Sequence, residues 1–294
     1  MITYKCKNCG GQMNFDGSVG LACPFCGSKA FFSDEDFKGN EKFRKMVLQH
    51  YKAEAEKKDM DYSTDHLWTC TGRDSYTMQN GQMLNIEYMK KYERQGLLFY
   101  IAKESVVYIF DERSGAEVFL NKLKSLVFPA ADAKLHRSFP ELKMEIVLSD
   151  DKSALVFIRR PNCYPAEMFA PWESVHLAWV ISRMENICCA LRYSELEYGD
   201  VAPDSVFINP FTHEGMLFGD WRKVKALKGN ADLKALRKTA VILAENTREP
   251  EEMYRFLNSE PASDAYSDFE KWDTVIEKGF GGHNFRTMFP ENRR

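Results

Sequence analysis

Residues 198–221, YGDVAPDSVFINPFTHEGMLFGDW, constrain the fold more than any other part of the chain. Glycine, aspartate and proline crowd positions 199–204 and set a turn for conformational reasons. Val206-Phe207-Ile208 and Met216-Leu217-Phe218 are apolar runs of strand length, with a hairpin expected around Asn209-Pro210. A strand-loop-strand of this kind brings Asp200 and Asp220 to the ends of neighbouring strands. The plainer alternative leaves YGDVAPDS as an ordinary turn between short strands, with no chemistry attached.

The eight cysteines divide into two groups. Cys6/Cys9 and Cys23/Cys26 form C-x-x-C pairs separated by thirteen residues, each followed at once by glycine. Zn²⁺ takes four thiolates tetrahedrally, and each C-x-x-C turn brings two sulfurs to one knuckle. Residues 1–33 therefore read as a zinc ribbon whose folding free energy comes from the metal, because so short a segment holds few apolar residues. A closed four-cysteine site has no open position, so this zinc is structural. A disulfide pair or a redox dithiol is the alternative, but neither a secretion signal nor a βαβ setting accompanies the cysteines. Cys70, Cys163, Cys188 and Cys189 lack pair spacing, and Cys188 lies on a helical apolar stripe.

With 294 residues and 44% hydrophobic content the chain can bury a sizeable core. A net charge of −3 argues against binding to nucleic acid by massed phosphate neutralisation and leaves room only for a small local basic patch. No stretch reaches the length of a membrane span and no apolar signal core precedes the first cysteines, so the expected compartment is the cytoplasm. Residues 34–66 read as a linker with an amphipathic helix over 41–58, carrying Phe43, Met46, Val47, His50 and Tyr51 on one face. Strand patterns follow at 97–101, 106–110, 144–148 and 155–158. One helix interrupts them near 115–126, with Val118, Leu120, Leu123 and Val127 as its stripe and Phe128-Pro129 as its stop. Residues 159–165, RRPNCYP, break the pattern as a hinge would. A long helix over 172–193 and further helices at 232–243, 250–258 and 266–278 complete the chain. Sheet first and helices after give an α+β fold.

Taken together, residues 67–294 resemble the bacterial kinase-like proteins that carry a zinc ribbon. The resemblance rests on the long helix, the GDVAPDSVFINP loop, the Ile208–Glu214 hairpin INPFTHE, the following GDW and GGHNFRTMFP at 281–290. It implies a two-lobed protein-kinase-like domain, with a β-rich small lobe and hinge over 67–164 and a helical large lobe over 165–294. It also implies Asp200 as catalytic base, Ser205 in the place of a metal-binding asparagine, Asp220 as Mg²⁺ ligand and Asp232 as the carboxylate bracing the catalytic loop.

Several kinase parts are missing or displaced. No G-x-G-x-x-G exists, and GRDSYTMQNG at 72–81 lacks the spacing. The resemblance puts Tyr100 where the phosphate-binding lysine belongs. Lys103 is the nearest substitute, and Glu117, or Ala116 in a register shifted by one, stands for the helix glutamate. Tyr198 replaces the usual histidine before the base. Only eleven residues separate Asp220 from Asp232, too few for a substrate-docking activation segment.

Three functions remain open at this level. The first is a zinc-binding pseudokinase used in protein interaction or regulation. The second is a divergent ATP- and Mg²⁺-dependent kinase with Asp200 as base and Asp220, Ser205 and Lys103 around the nucleotide. The third is a nucleic-acid-associated adaptor acting through the ribbon. His213 is the one histidine whose closeness to Asp220 in sequence draws attention.

Overall fold

The computed structural model describes residues 64–65, 67–129, 135–170, 172–244 and 249–285, with the backbone of four short strands nearer the N-terminus. These strands are β1 (Tyr4–Lys5), β2 (Gln12–Met13), β3 (Leu21–Ala22) and β4 (Lys29–Ala30). They pair as two antiparallel ladders, Tyr4 opposite Met13 and Leu21 opposite Ala30. Cys6, Cys9, Cys23 and Cys26 lie outside the described residues, as does the amphipathic segment 41–58.

The β-rich lobe is a six-stranded antiparallel sheet. It comprises β5 (Gly72–Thr77), β6 (Met83–Arg94), β7 (Leu97–Ala102), β8 (Ser105–Phe110), β9 (Leu142–Val147) and β10 (Ser153–Ile158), in the order β5-β6-β7-β8-β10-β9. The sheet curls until its two edges meet at one end, where Met78 pairs with Leu148 and the Ser149 N–H donates to the Thr77 carbonyl at 2.9 Å. Alternation along each strand therefore feeds two cores. Tyr100, Val107, Ile109 and Ala154 pack inside the curl. Phe99, Tyr108, Phe110 and Phe157 face the rest of the molecule.

The strands expected at 97–101, 106–110, 144–148 and 155–158 are all present, whereas the β5–β6 hairpin lies where no strand was delimited. Its charged sequence, MLNIEYMKKYER in β6, hides the alternation. One bulged residue, between Tyr88 and Lys90, also reverses which side chains face inward.

Helix α1 (Arg113–Lys124) packs on the outward core through Ala116, Phe119 and Leu120. The stripe read from sequence was rotated, since Val118 and Val127 are exposed. The segment after β10 is fixed by the buried Arg159, which donates to the carbonyls of Ala102 and Cys163 and pairs with Asp65.

The helical lobe is centred on α2 (Ser174–Tyr193), buried on nearly every side. Helices α3 (Ala231–Leu243), α4 (Glu251–Asn258) and α5 (Ala265–Phe280) surround it, each within two residues of the expected bounds. Two short strands, β11 (Tyr164–Pro165) and β12 (Leu196–Glu197), precede and follow α2, and before α3 come β13 (Val206–Asn209) and β14 (Glu214–Leu217), antiparallel, with Val206 opposite Leu217 and Asn209 opposite Glu214. No described helix is long and apolar enough to cross a membrane.

Candidate functional site

The loop 198–205 is held from beneath by Asp232 at the start of α3. Its two carboxylate oxygens accept the Tyr198 and Gly199 N–H groups at 2.7 and 2.8 Å. Burial raises the Asp232 pKa while these amide bonds pull it back. The brace leaves the Asp200 side chain directed at the chain beyond β14, where the Asp220 N–H donates to Asp200 Oδ2 at 3.1 Å. The two aspartates, 20 residues apart in sequence, thus meet through the Asp220 amide.

Gly219 makes the meeting possible. Its φ of +103° suits glycine, and a Cβ there would lie 2.4 Å from the Tyr198 hydroxyl and 2.7 Å from Ser205 Cβ. Ser205, the predicted metal ligand, uses its hydroxyl on the backbone. It donates to the Asp200 carbonyl at 2.6 Å and accepts from the Ala202 N–H at 2.8 Å.

Cations of the chain itself surround these carboxylates. Arg222 grips Asp220 through Nε to Oδ1 and Nη2 to Oδ2, both at 2.8 Å. The same guanidinium donates to the Gln95 carbonyl at 2.9 Å, in the tight turn joining β6 to β7. Hydrogen bonding to Asp220 is the main reason its pKa is raised. Lys223 pairs with Asp200 Oδ1. Arg94 reaches down from β6 to Asp204 Oδ2 at 2.6 Å. Burial opposes the Arg94 charge, yet the nearby Asp204 and Asp200 carboxylates outweigh it and raise its pKa. Burial pushes Asp204 up to about 6 against the pull of Arg94.

Arg94 belongs to a row. Lys90, Tyr92 and Arg94 alternate along β6 after its bulge, and Lys90 pairs with Glu167 at 2.7 Å while the Tyr92 hydroxyl donates to the same oxygen. The row stitches the β-rich lobe to the helical lobe beside Asp200. Above Asp220 the residue facing down from the sheet is Tyr108 on β8. It is fully buried, and its hydroxyl accepts from the Gly219 N–H at 2.9 Å.

The structure brings Asp200, Ser205 and Asp220 together, and it leaves Lys103 and Glu117 outside. Lys103 is exposed in the turn between β7 and β8. The Glu117 side chain is 62% exposed and pairs with Arg113 one turn away on α1. Tyr100 points into the curl of the sheet, hydrogen-bonded to Asp74 at 2.8 Å. The strand that precedes the helix is β8, so the residue opposite the aspartates is Tyr108. His213 lies at the far end of the hairpin, its ring stacked on Trp179 at 4.5 Å. Sequence reading missed Tyr108, Arg94, Arg222 and Lys223. A signal existed for the last two, since a cation pair directly after GDW cannot lie far from Asp220. Among the described residues no group of three or more histidines, cysteines or carboxylates could hold a metal ion.

No protein-family model and no curated relative matches this sequence. Among solved structures, the chain is similar to the BubR1 kinase domain, with a TM-score of 0.51 at 9% identity over 84% of this chain and 95% of that one. The fold is protein-kinase-like. Vaccinia related kinase 3 is similar at a TM-score of 0.49 and 11% identity, over 84% and 98% of the two chains. The bifunctional kinase-methyltransferase WbdD gives 0.47 and 12%, over 88% and 68%. At such identities the likeness speaks to the kinase-like fold alone.

Proposed function

We propose that this chain is a zinc-binding pseudokinase, a kinase-like module used in protein interaction or regulation without efficient phosphoryl transfer. The observation that carries the reading is the bidentate grip of Arg222 on Asp220. Phosphoryl transfer needs Mg²⁺ on that carboxylate and a lysine facing the phosphates. Here a guanidinium neutralises the metal-binding carboxylate and also ties down the β6–β7 turn, the part of the sheet that would cover a nucleotide. Tyr108 supplies a hydroxyl where a cation is needed, and the Ser205 hydroxyl is engaged by backbone.

The ribbon reading rests on donor chemistry. Four cysteines in two C-x-x-C pairs form a complete tetrahedral thiolate set. Each pair falls, in sequence, between the partner strands of one ladder, β1 with β2 and β3 with β4. Cys6, Cys9, Cys23 and Cys26 would hold one structural Zn²⁺. Metal analysis of the purified full chain should find about one zinc per chain, and loss of zinc retention on Cys9→Ser; a chain purified without zinc, and unable to take it up, would overturn this part.

The second reading, a divergent phosphotransferase, draws on the preserved contact between Asp200 and the Asp220 amide. A thermal-shift titration with ATP and Mg²⁺, run beside a labelled-phosphate transfer assay, separates the two. The pseudokinase predicts neither a shift nor transfer. A shift lost on Asp220→Ala, with transfer lost on Asp200→Ala, would establish the kinase instead.

A further inference from the structure

The hairpin β13–β14 has a second charged end. Three arginines from three separate elements converge on its tip, opposite the end that carries Ser205 and Asp220. Arg137, from the turn Leu135–Ser138, and Arg160, from the segment after β10, both reach Glu214 Oε1, at 3.1 and 3.4 Å. Arg183 on α2 donates Nε to the His213 carbonyl at 2.7 Å. The exposed Thr212 hydroxyl donates to Glu214 Oε2 at 3.3 Å.

The cluster is unbalanced. Among the described residues Glu214 is the only carboxylate in ion-pair contact with Arg137 or Arg160, and Arg183 has none. Partial burial lowers the Arg183 pKa, opposed by the Glu214 charge. Three guanidiniums against one carboxylate leave a local charge of about +2, in a chain whose net charge is −3. Each guanidinium carries about five N–H donors, and a single one from each is engaged here. The tip is rigid, because Asn209 Oδ1 accepts the Phe211 and Thr212 N–H groups at 2.9 and 3.2 Å and Arg183 anchors the next carbonyl. Arg137 is 49% and Glu214 33% exposed, so a ligand can reach them.

A phosphomonoester carries a charge of about −1.5 to −2 and three acceptor oxygens. That charge matches the surplus of the cluster, and the free N–H donors match the oxygens, whereas one further carboxylate would satisfy only half of either. We infer that Arg137, Arg160 and Arg183 form a docking site for a phosphoserine- or phosphothreonine-bearing segment of a partner protein. Glu214 is the internal anion that holds the arginines in place until such a segment arrives. The site does not depend on whether Asp200 and Asp220 transfer phosphate, so its failure and that of the pseudokinase reading are separate results.

The test is fluorescence anisotropy of the full chain with a peptide library fixed at a central phosphothreonine, against the same library unphosphorylated. Phosphopeptides should bind at least about tenfold tighter, weakening as salt rises. The double substitution R137Q/R160Q should lower that binding about tenfold or more, while Glu214→Gln should strengthen it several-fold by removing the competing anion. These opposite directions cannot both come from general destabilisation. No preference for phosphorylated peptides, or unchanged binding in R137Q/R160Q, would overturn the proposal. So would a single-stranded oligonucleotide that binds equally well and is lost in the same variant. If R137Q/R160Q does not fold, Glu214→Gln decides alone, and unchanged phosphopeptide affinity overturns the assignment.

Discussion

Arg222 clasps both carboxylate oxygens of Asp220 at 2.8 Å, two residues further along the chain. The sequence GDWRK thus supplies the Asp220 carboxylate and its own counter-ion beside one turn of 3₁₀ helix over Trp221–Lys223. The pair is partly sheltered, with side-chain exposures of 22% and 6%, so the guanidinium is a strong competitor for any divalent cation. Arg222→Ala should lower unfolding free energy by about 1.5–3 kcal/mol, the range for a hydrogen bond to a charged group. It should also give a Mg²⁺-dependent thermal shift with ATP that the parent lacks. An unchanged response to Mg²⁺ would show that Arg222 is not what closes the site.

Tyr108→Phe removes the acceptor of the Gly219 N–H without changing shape. A buried N–H left unpaired costs about 1–3 kcal/mol, read by urea denaturation. A neutral result would mean that the Gly219 amide finds another partner.

Gly219→Ala meets two obstacles at once, a φ of +103° and a Tyr198 hydroxyl 2.4 Å from the new Cβ. Strain of this kind destabilises by roughly 2–4 kcal/mol. Soluble expression with an unaltered Tm would contradict the close packing of Tyr198, Ser205 and Asp200 around this residue.

Glu185 on α2 is fully buried, and neither carboxylate oxygen meets a hydrogen-bond donor. Burial, aided by the Asp268 charge, pushes its pKa up to about 9. Below about pH 4.5 native and unfolded chains both hold this proton. As the pH rises from there towards 9 the unfolded chain releases it while the native chain keeps it, so the group costs stability across that window. Glu185→Gln should remove the cost, gaining on the order of 3 kcal/mol at pH 7 and little at pH 4. Denaturation curves at both pH values check the sign.

Lys103→Ala should be silent, within about 0.5 kcal/mol in stability. Its side chain lies in an exposed turn. A marked effect on any nucleotide response would reinstate it near the cleft.

Much of the helical lobe was legible because its signals are local. The spacing of Leu177, Ile181, Met184, Cys188 and Leu191 delimits α2 almost to its ends. The apolar runs at 206–208 and 216–218 delimit the hairpin. On α1 the element was legible and its buried face was not. Ala116 and Phe119 pack inward while Val118 is exposed, because three or four apolar residues on a short helix fit more than one stripe. In the sheet, sequence reading put Tyr100 at the position that the structure gives to Tyr108, and only the strand order shows the difference.

The sequence by itself determined the strand-loop-strand that brings Asp200 and Asp220 to neighbouring strand ends, since turn residues and alternation act over a few positions. The tertiary structure alone decided what surrounds them. The bulge between Tyr88 and Lys90 exists only through the register of β6 on β7. By inserting one residue it reverses the two-residue period, so Lys90, Tyr92 and Arg94 turn from the inside of the sheet towards Glu167 and Asp204. Arg222 is adjacent to Asp220 in sequence, but its reach to the Gln95 carbonyl depends on the β6–β7 turn coming down to meet it. Chemistry at the cleft is thus set by pairings between residues more than 100 positions apart, such as Arg94 with Asp204, which no local pattern encodes.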